Sequence, residues 1–191
     1  RISFSGELGF ELAIPSRYGA SLFNVLKLEA DQHGGGIYGM EAMNVMRLEK
    51  GFITHAEIDG RATAYDVGMQ RMLSQKKDFI GNKMAQRPGL LDPNRERLVG
   101  LKMKGSTSSL KAGSQLFNIY DEPLADNNQG FISSAAFSPV ENCYVGLAFF
   151  RRGPERWGER INAVNFMADT QLECEVCNPV FYDPDGNKMH A

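Results

Sequence analysis

Three cysteines, three histidines and one tryptophan are all that the 191 residues offer of the side chains that most often announce metal, redox or stacking sites. Cys143, Cys174 and Cys177 are an odd number and too few for a disulfide framework, so reduced thiols are expected. Cys174-Glu175-Val176-Cys177 has the spacing of a metal or redox pair, but the surrounding stretch reads as a strand, in which residues three apart point to opposite faces. No second Cys or His pair completes four ligands, so no metal site is expected. His33, His55 and His190 stand alone in sequence and read as surface or capping residues.

A charge excess is also missing. Lys plus Arg number 21 against 23 for Asp plus Glu, a net charge of -2, which gives no electrostatic case for nucleic acid or an anionic membrane as partner. No run approaches the roughly 18 apolar residues of a membrane span, and no charged-then-apolar signal segment opens the chain. A cytoplasmic protein is expected, and Arg1 in place of an initiator Met points to sequence upstream. Walker A, G-x-G-x-x-G, H-E-x-x-H and G-x-S-x-G patterns are all absent, so no self-sufficient catalytic constellation is expected within these residues.

What is present begins at the first residues. Arg1-Ile2-Ser3-Phe4-Ser5-Gly6-Glu7-Leu8-Gly9-Phe10-Glu11-Leu12 alternates apolar residues as a half-buried strand pair does, with Gly6 and Gly9 relaxing the backbone around Glu7. Two readings of Glu7 stay open: a solvated acid in a hairpin turn, or a carboxylate able to accept two parallel N–H bonds from a planar heterocycle such as a pterin or guanine. Residues 18–32 carry helical periodicity before a Gly34-Gly35-Gly36 stop, with Ser16 as a possible cap. Residues 39–50 read as a second helix, with Ala42, Met43 and Met46 inward and Arg47 and Glu49 on its other side. Its Met stripe fits plain core packing or a pliable pocket. Arg47 reads as an ion-pair partner of Glu49 or Asp66, or as a residue held for a ligand.

Asp78 can cap a short helix through Met84, after which two prolines and a glycine in residues 86–94 suggest a domain boundary. Beyond it the pattern changes to six short strands, at 98–103, 115–120, 130–137, 143–150, 161–166 and 172–177, whose intervals suit a compact antiparallel barrel or sandwich. The small residues Ser133-Ser134-Ala135-Ala136 fit a barrel interior or a close approach by a flat ligand. Trp157 falls in a loop, as a rim or partner-facing residue.

Four segments together resemble the folate-binding aminomethyltransferase family, whose best-known member is the glycine cleavage T-protein: residues 3–11, Met46-Arg47-Leu48-Glu49-Lys50-Gly51, Lys77-Asp78-Phe79-Ile80-Gly81 and Pro179-Val180-Phe181-Tyr182-Asp183-Pro184-Asp185-Gly186. Within it, Tyr38-Gly39-Met40-Glu41-Ala42-Met43 and Lys76-Lys77-Asp78-Phe79-Ile80-Gly81 are similar to the branch formed by the C-terminal region of sarcosine oxidase alpha subunits. Met43 departs from the T-protein pattern, where an arginine usually stands. The resemblance implies an α+β fold: the C-terminal part of a folate-binding module over residues 1–90, then an antiparallel β-barrel over 95–191. It implies that Glu7 holds the pterin ring of tetrahydrofolate, with Phe4, Tyr38 and Arg47 also at the folate site, and that the catalytic acid lies upstream of Arg1. It implies one-carbon chemistry in which an N-methyl amine is oxidised elsewhere and tetrahydrofolate takes up the carbon as methylenetetrahydrofolate. FAD, FMN and NAD are then expected only in the rest of the assembly. The partners implied are folate, the N-terminal part of the subunit and the other oxidase subunits. A T-protein or dimethylglycine oxidase-type demethylase and a non-catalytic folate-binding module remain alternatives.

Overall fold

A computed structural model describes residues 1–105 and 108–190. Its centre is a closed barrel of six strands: β1 Glu96–Met103, β2 Gln115–Asn118, β3 Gly130–Ser138, β4 Cys143–Arg151, β5 Arg160–Asn165 and β6 Thr170–Cys177. Around the barrel the order is β1-β4-β3-β2-β5-β6, each neighbouring pair antiparallel, with β6 closing on β1. Closure removes the unpaired sheet edges that a sandwich would leave.

Period-2 alternation sorts the side chains. Val99, Leu101, Leu116, Ile132, Ala148, Phe150, Ile161, Ala163, Leu172, Cys174 and Val176 fill the barrel interior. Leu98, Val145, Leu147 and Phe149 point outward into a second core. Strand β4 is buried from Val145 to Phe150 because both its faces are covered, and its sequence is correspondingly apolar without a break. Cys174 lies inside and Cys177 on the other face, as the strand spacing requires, and burial pushes both thiols up to about 12, which favours the protonated thiol over the nucleophilic thiolate at neutral pH.

The second core receives the end of a helix. α1 spans Gly19–Gln32 and α2 spans Met40–Glu49; a single-turn α3 covers Asn82–Ala85. Leu48 of α2 is fully buried against Leu98, Val145, Leu147 and Phe149; burying it is worth about 2 kcal/mol. α1 has its expected length, but none of its residues is buried, and Phe23, Val25, Leu26 and Leu28 are all about half exposed. Its apolar stripe has no partner among the described residues.

Three expectations are corrected. No strand forms in residues 1–15; the segment bends, and Ile2, Phe10 and Leu12 are exposed. Asp78 does not cap a helix running to Met84: its carboxylate accepts from Phe79 N and Asn82 Nδ2, and Gly81 stands at the N-terminus of α3. Ser133 and Ser134 do not line the barrel interior, because a β-bulge between Ile132 and Ser134 re-aims them toward the outer core.

Candidate functional site

Residues 1–9 fold into a small closed loop. Ile2 N donates to Gly9 O at 3.1 Å, and Ser3 Oγ accepts from Gly6 N while donating to Glu7 O. Gly6 sits at φ +86 directly over the stem of Lys50; a Cβ there would lie 2.8 Å from Lys50 Cγ. Only glycine meets both demands, so Gly6 presses the loop onto the end of α2 and sets Glu7 beside the C-terminal tail.

Glu7 is half-buried, and its Oε1 accepts the Tyr182 hydroxyl proton at 2.8 Å. That bond to the carboxylate holds the Tyr182 phenol above its ordinary pKa, so it remains a donor at neutral pH. Tyr182 is fixed in turn: the Phe181 and Tyr182 amides both donate to Glu49 O, at 2.8 and 2.9 Å, and the neighbouring Asp183 pairs with buried Lys50 at 2.8 Å. The Lys50 bond holds the Asp183 carboxyl below the usual carboxylate range. Leu8 N donates to Lys188 O and Arg1 Nη2 to Met189 O. The two ends of the chain are thus clasped around the end of α2.

A carboxylate has about four lone-pair positions. One is taken by Tyr182, which leaves Glu7 able to accept a pair of parallel N–H bonds, the donor set that an amino-pyrimidinone ring presents. Phe4 is on the same loop and 43% exposed, and Tyr38, before α2, is 55% exposed. Both rings are open to contact.

Arg47 is placed otherwise. It is 4% exposed, with Nε donating to Asn44 Oδ1, Nη1 to Phe52 O and Glu57 Oε2, and Nη2 to Ser134 Oγ. Its ion-pair partner is Glu57, not Glu49 or Asp66; Glu49 accepts from Ser138 Oγ, and Asp66 pairs with Arg95. Glu57 is fully buried. Burial alone would raise its pKa, but bonds from Ser134, Ser133 and Thr54, with the Arg47 charge, outweigh that and leave the carboxyl below its ordinary value. Burial lowers the Arg47 value against the opposing pull of Glu57. The facing expected for α2 holds only in part: Met43 and Met46 are half-buried, but Ala42 is exposed, while Arg47 and Glu49, with Lys50 just after the helix, are buried, each with its own partner from another part of the chain.

Glu57 and Ser134, as partners of Arg47, and Tyr182, as the partner of Glu7, are the residues sequence reasoning missed. Tyr182 carried a signal, since it lies in one of the matched segments; Glu57 carried none. A separate cavity of about 530 Å³ is lined by Asp59, Arg61, Asp66, Arg95, Glu96 and Phe131, among others. Among its lining residues Arg61 pairs with Asp59 and Arg95 with Asp66, and none of Phe4, Glu7, Tyr38 or Arg47 lines it. Among the described residues no group of three or more His, Cys, Asp or Glu could hold a metal, and no helix is long and apolar enough to cross a membrane.

Comparison with known proteins places these features. Residues 1–77 match the GCVT N-terminal domain and residues 96–183 the glycine cleavage T-protein C-terminal barrel domain. The sarcosine oxidase subunit alpha of Rhizobium meliloti (strain 1021) is 38% identical over all of this chain, and that of Corynebacterium sp. (strain U-96) 33% identical over 98% of it. In both cases this chain spans 20% of the relative's length. The aminomethyltransferase of Thermotoga neapolitana is 26% identical over 95% of the chain and 47% of its own length. The crystal structure of the glycine cleavage system aminomethyltransferase T from Bartonella henselae superimposes with a TM-score of 0.76 at 23% identity, over 94% of this chain and 48% of that one, and shares the fold. A closed N-terminal loop bearing Glu7, an outer core that seats the Arg47-Leu48-Glu49-Lys50 turn and a closed six-stranded barrel, matched by both domain models in order, make this chain a member of the glycine cleavage T-protein family, resembling one part of sarcosine oxidase alpha subunits.

Proposed function

We propose that this chain is a tetrahydrofolate-binding module of a multi-subunit amine oxidase, which takes up the one-carbon unit released when an N-methyl amine such as sarcosine is oxidised. The observation that carries the reading is Glu7: a carboxylate held at one oxygen by Tyr182, with acceptor capacity left over for a pair of N–H donors. The similarity at 38% identity to a protein named sarcosine oxidase subunit alpha supports the oxidase setting.

Glu7 binds and orients the pterin ring, and the exposed rings of Phe4 and Tyr38 supply apolar contact to it. Arg47 acts from behind, locking α2 to the barrel through Glu57 and Ser134. Tetrahydrofolate, when bound, supplies the amine nitrogen that accepts the one-carbon unit. The protein's contribution is position: a pterin held by two directional bonds presents that nitrogen in one orientation. The acid that manages protons is assigned upstream of Arg1, and FAD, FMN and NAD to other parts of the assembly.

The experiment is an assay of the full-length protein with its partner subunits for methylenetetrahydrofolate formed in response to sarcosine. Product that depends on both sarcosine and tetrahydrofolate is expected. Oxidation of sarcosine that yields formaldehyde alone, at any folate concentration, would overturn the reading and leave a non-catalytic binding module.

A further inference from the structure

Glu7 and Tyr182 are 175 residues apart in sequence, yet joined by one hydrogen bond. The bond's geometry is set from the tail side. The amides of Phe181 and Tyr182 are pinned to Glu49 O, Asp183 is pinned to Lys50 Nζ, and the stem of that same Lys50 carries Gly6, one residue before Glu7. The end of α2 is therefore a common footing for acceptor and donor.

A glutamate with a free side chain loses on binding the rotamer freedom that a pre-oriented one has already given up. The Tyr182 hydroxyl occupies one lone-pair position on Oε1 and confines the plane of the carboxylate. From this contact, and resting on the reading of Glu7 as the ligand carboxylate, we propose that Tyr182 is the positioning residue of the pterin site: it fixes Glu7 so that both remaining oxygen edges meet the ring's N–H groups together. The C-terminal tail is then part of the folate site through its bond to Glu7.

The proposal makes a demand that general support of the fold does not. Positioning matters only for a ligand that uses both bonds. The test is calorimetry on the full-length protein with tetrahydrofolate and with its 2-desamino analogue, which lacks one of the two donors. The wild type is expected to favour the amino ligand at least about tenfold, the worth of one well-placed charge-assisted bond. In Tyr182→Phe that preference is expected to shrink to about threefold or less, with tetrahydrofolate losing more affinity than the analogue. An equal loss for both ligands, or no loss for either, would overturn the positioning role. The Glu7→Ala variant separates this from failure of the underlying reading: a wild-type preference that survives removal of Glu7, or a wild type with no preference, means that Glu7 is not the ligand carboxylate.

Discussion

Glu57 has no exposed surface, and five donor contacts from Arg47, Thr54, Ser133 and Ser134 converge on its two oxygens. Breaking one side of such a buried pair leaves a desolvated charge, at a cost of about 3 to 5 kcal/mol. Glu57→Gln should lower the melting temperature at pH 7 accordingly. It should also change the response to acid. The folded-state pKa values of Glu57 and Asp66 lie below their ordinary values of 4.5 and 3.8, so the folded protein binds these protons less tightly than the unfolded chain. Their stabilisation is fully present above the ordinary values and is lost as pH falls through the lower, folded ones. Melting scans from pH 7 to pH 3 should show the wild type losing stability below about pH 4.5 and Glu57→Gln losing less over the same range; parallel curves would show that the pair does not tie folding to protonation. At this scale the sequence said least. Arg47 was visible as a charged residue with a reason to be held, but its partner is ten residues away in a polar loop with no periodicity, and its two further long-range contacts, Phe52 O and Ser134 Oγ, depend on how that segment lies against β3.

Strands were legible where helix faces were not. All six lie within a few residues of the positions expected from alternation and turn residues, because a barrel strand's interior face must be apolar at every second residue. The choice between barrel and sandwich was not legible, since it depends on β6 meeting β1, a pairing between the two ends of the strand series. The facing of α2 defeated the periodicity argument because Arg47, Glu49 and Lys50 are buried by long-range pairing rather than excluded by charge. Gly130 shows what one position can decide within an element. Its φ is +151, and a Cβ would stand 1.9 Å from Phe149 O across the β3–β4 ladder. Gly130→Ala should cost at least about 2 kcal/mol through strain and a displaced ladder, read as a lower denaturant midpoint with an unchanged slope. A midpoint equal to the wild type would mean that β3 and β4 can separate there freely.

Across the whole molecule, the parts before and after the proline-bearing stretch at 86–94 are joined by side chains rather than by chain continuity alone. Arg47–Glu57–Ser134, Glu49–Ser138 and Lys50–Asp183 each cross between them, around the buried Leu48. We propose that residues 1–90 and 95–191 are two structural units docked through this turn of α2. Cleavage by a protease within 86–94 should therefore leave two fragments that co-elute on gel filtration and separate only in denaturant; fragments that part in native buffer would contradict the docking. The same long-range organisation brings Glu7 to Tyr182, and it explains why a loop that looked like a hairpin turn in sequence is a presented carboxylate in the fold.

The central claim is that Glu7 holds a reduced folate. Its most direct test is calorimetry of tetrahydrofolate binding to the full-length protein, wild type against Glu7→Ala. Loss of a paired, charge-assisted contact of about 2 to 4 kcal/mol predicts a dissociation constant raised about 30- to 1,000-fold. A dissociation constant within twofold of the wild type would contradict the account.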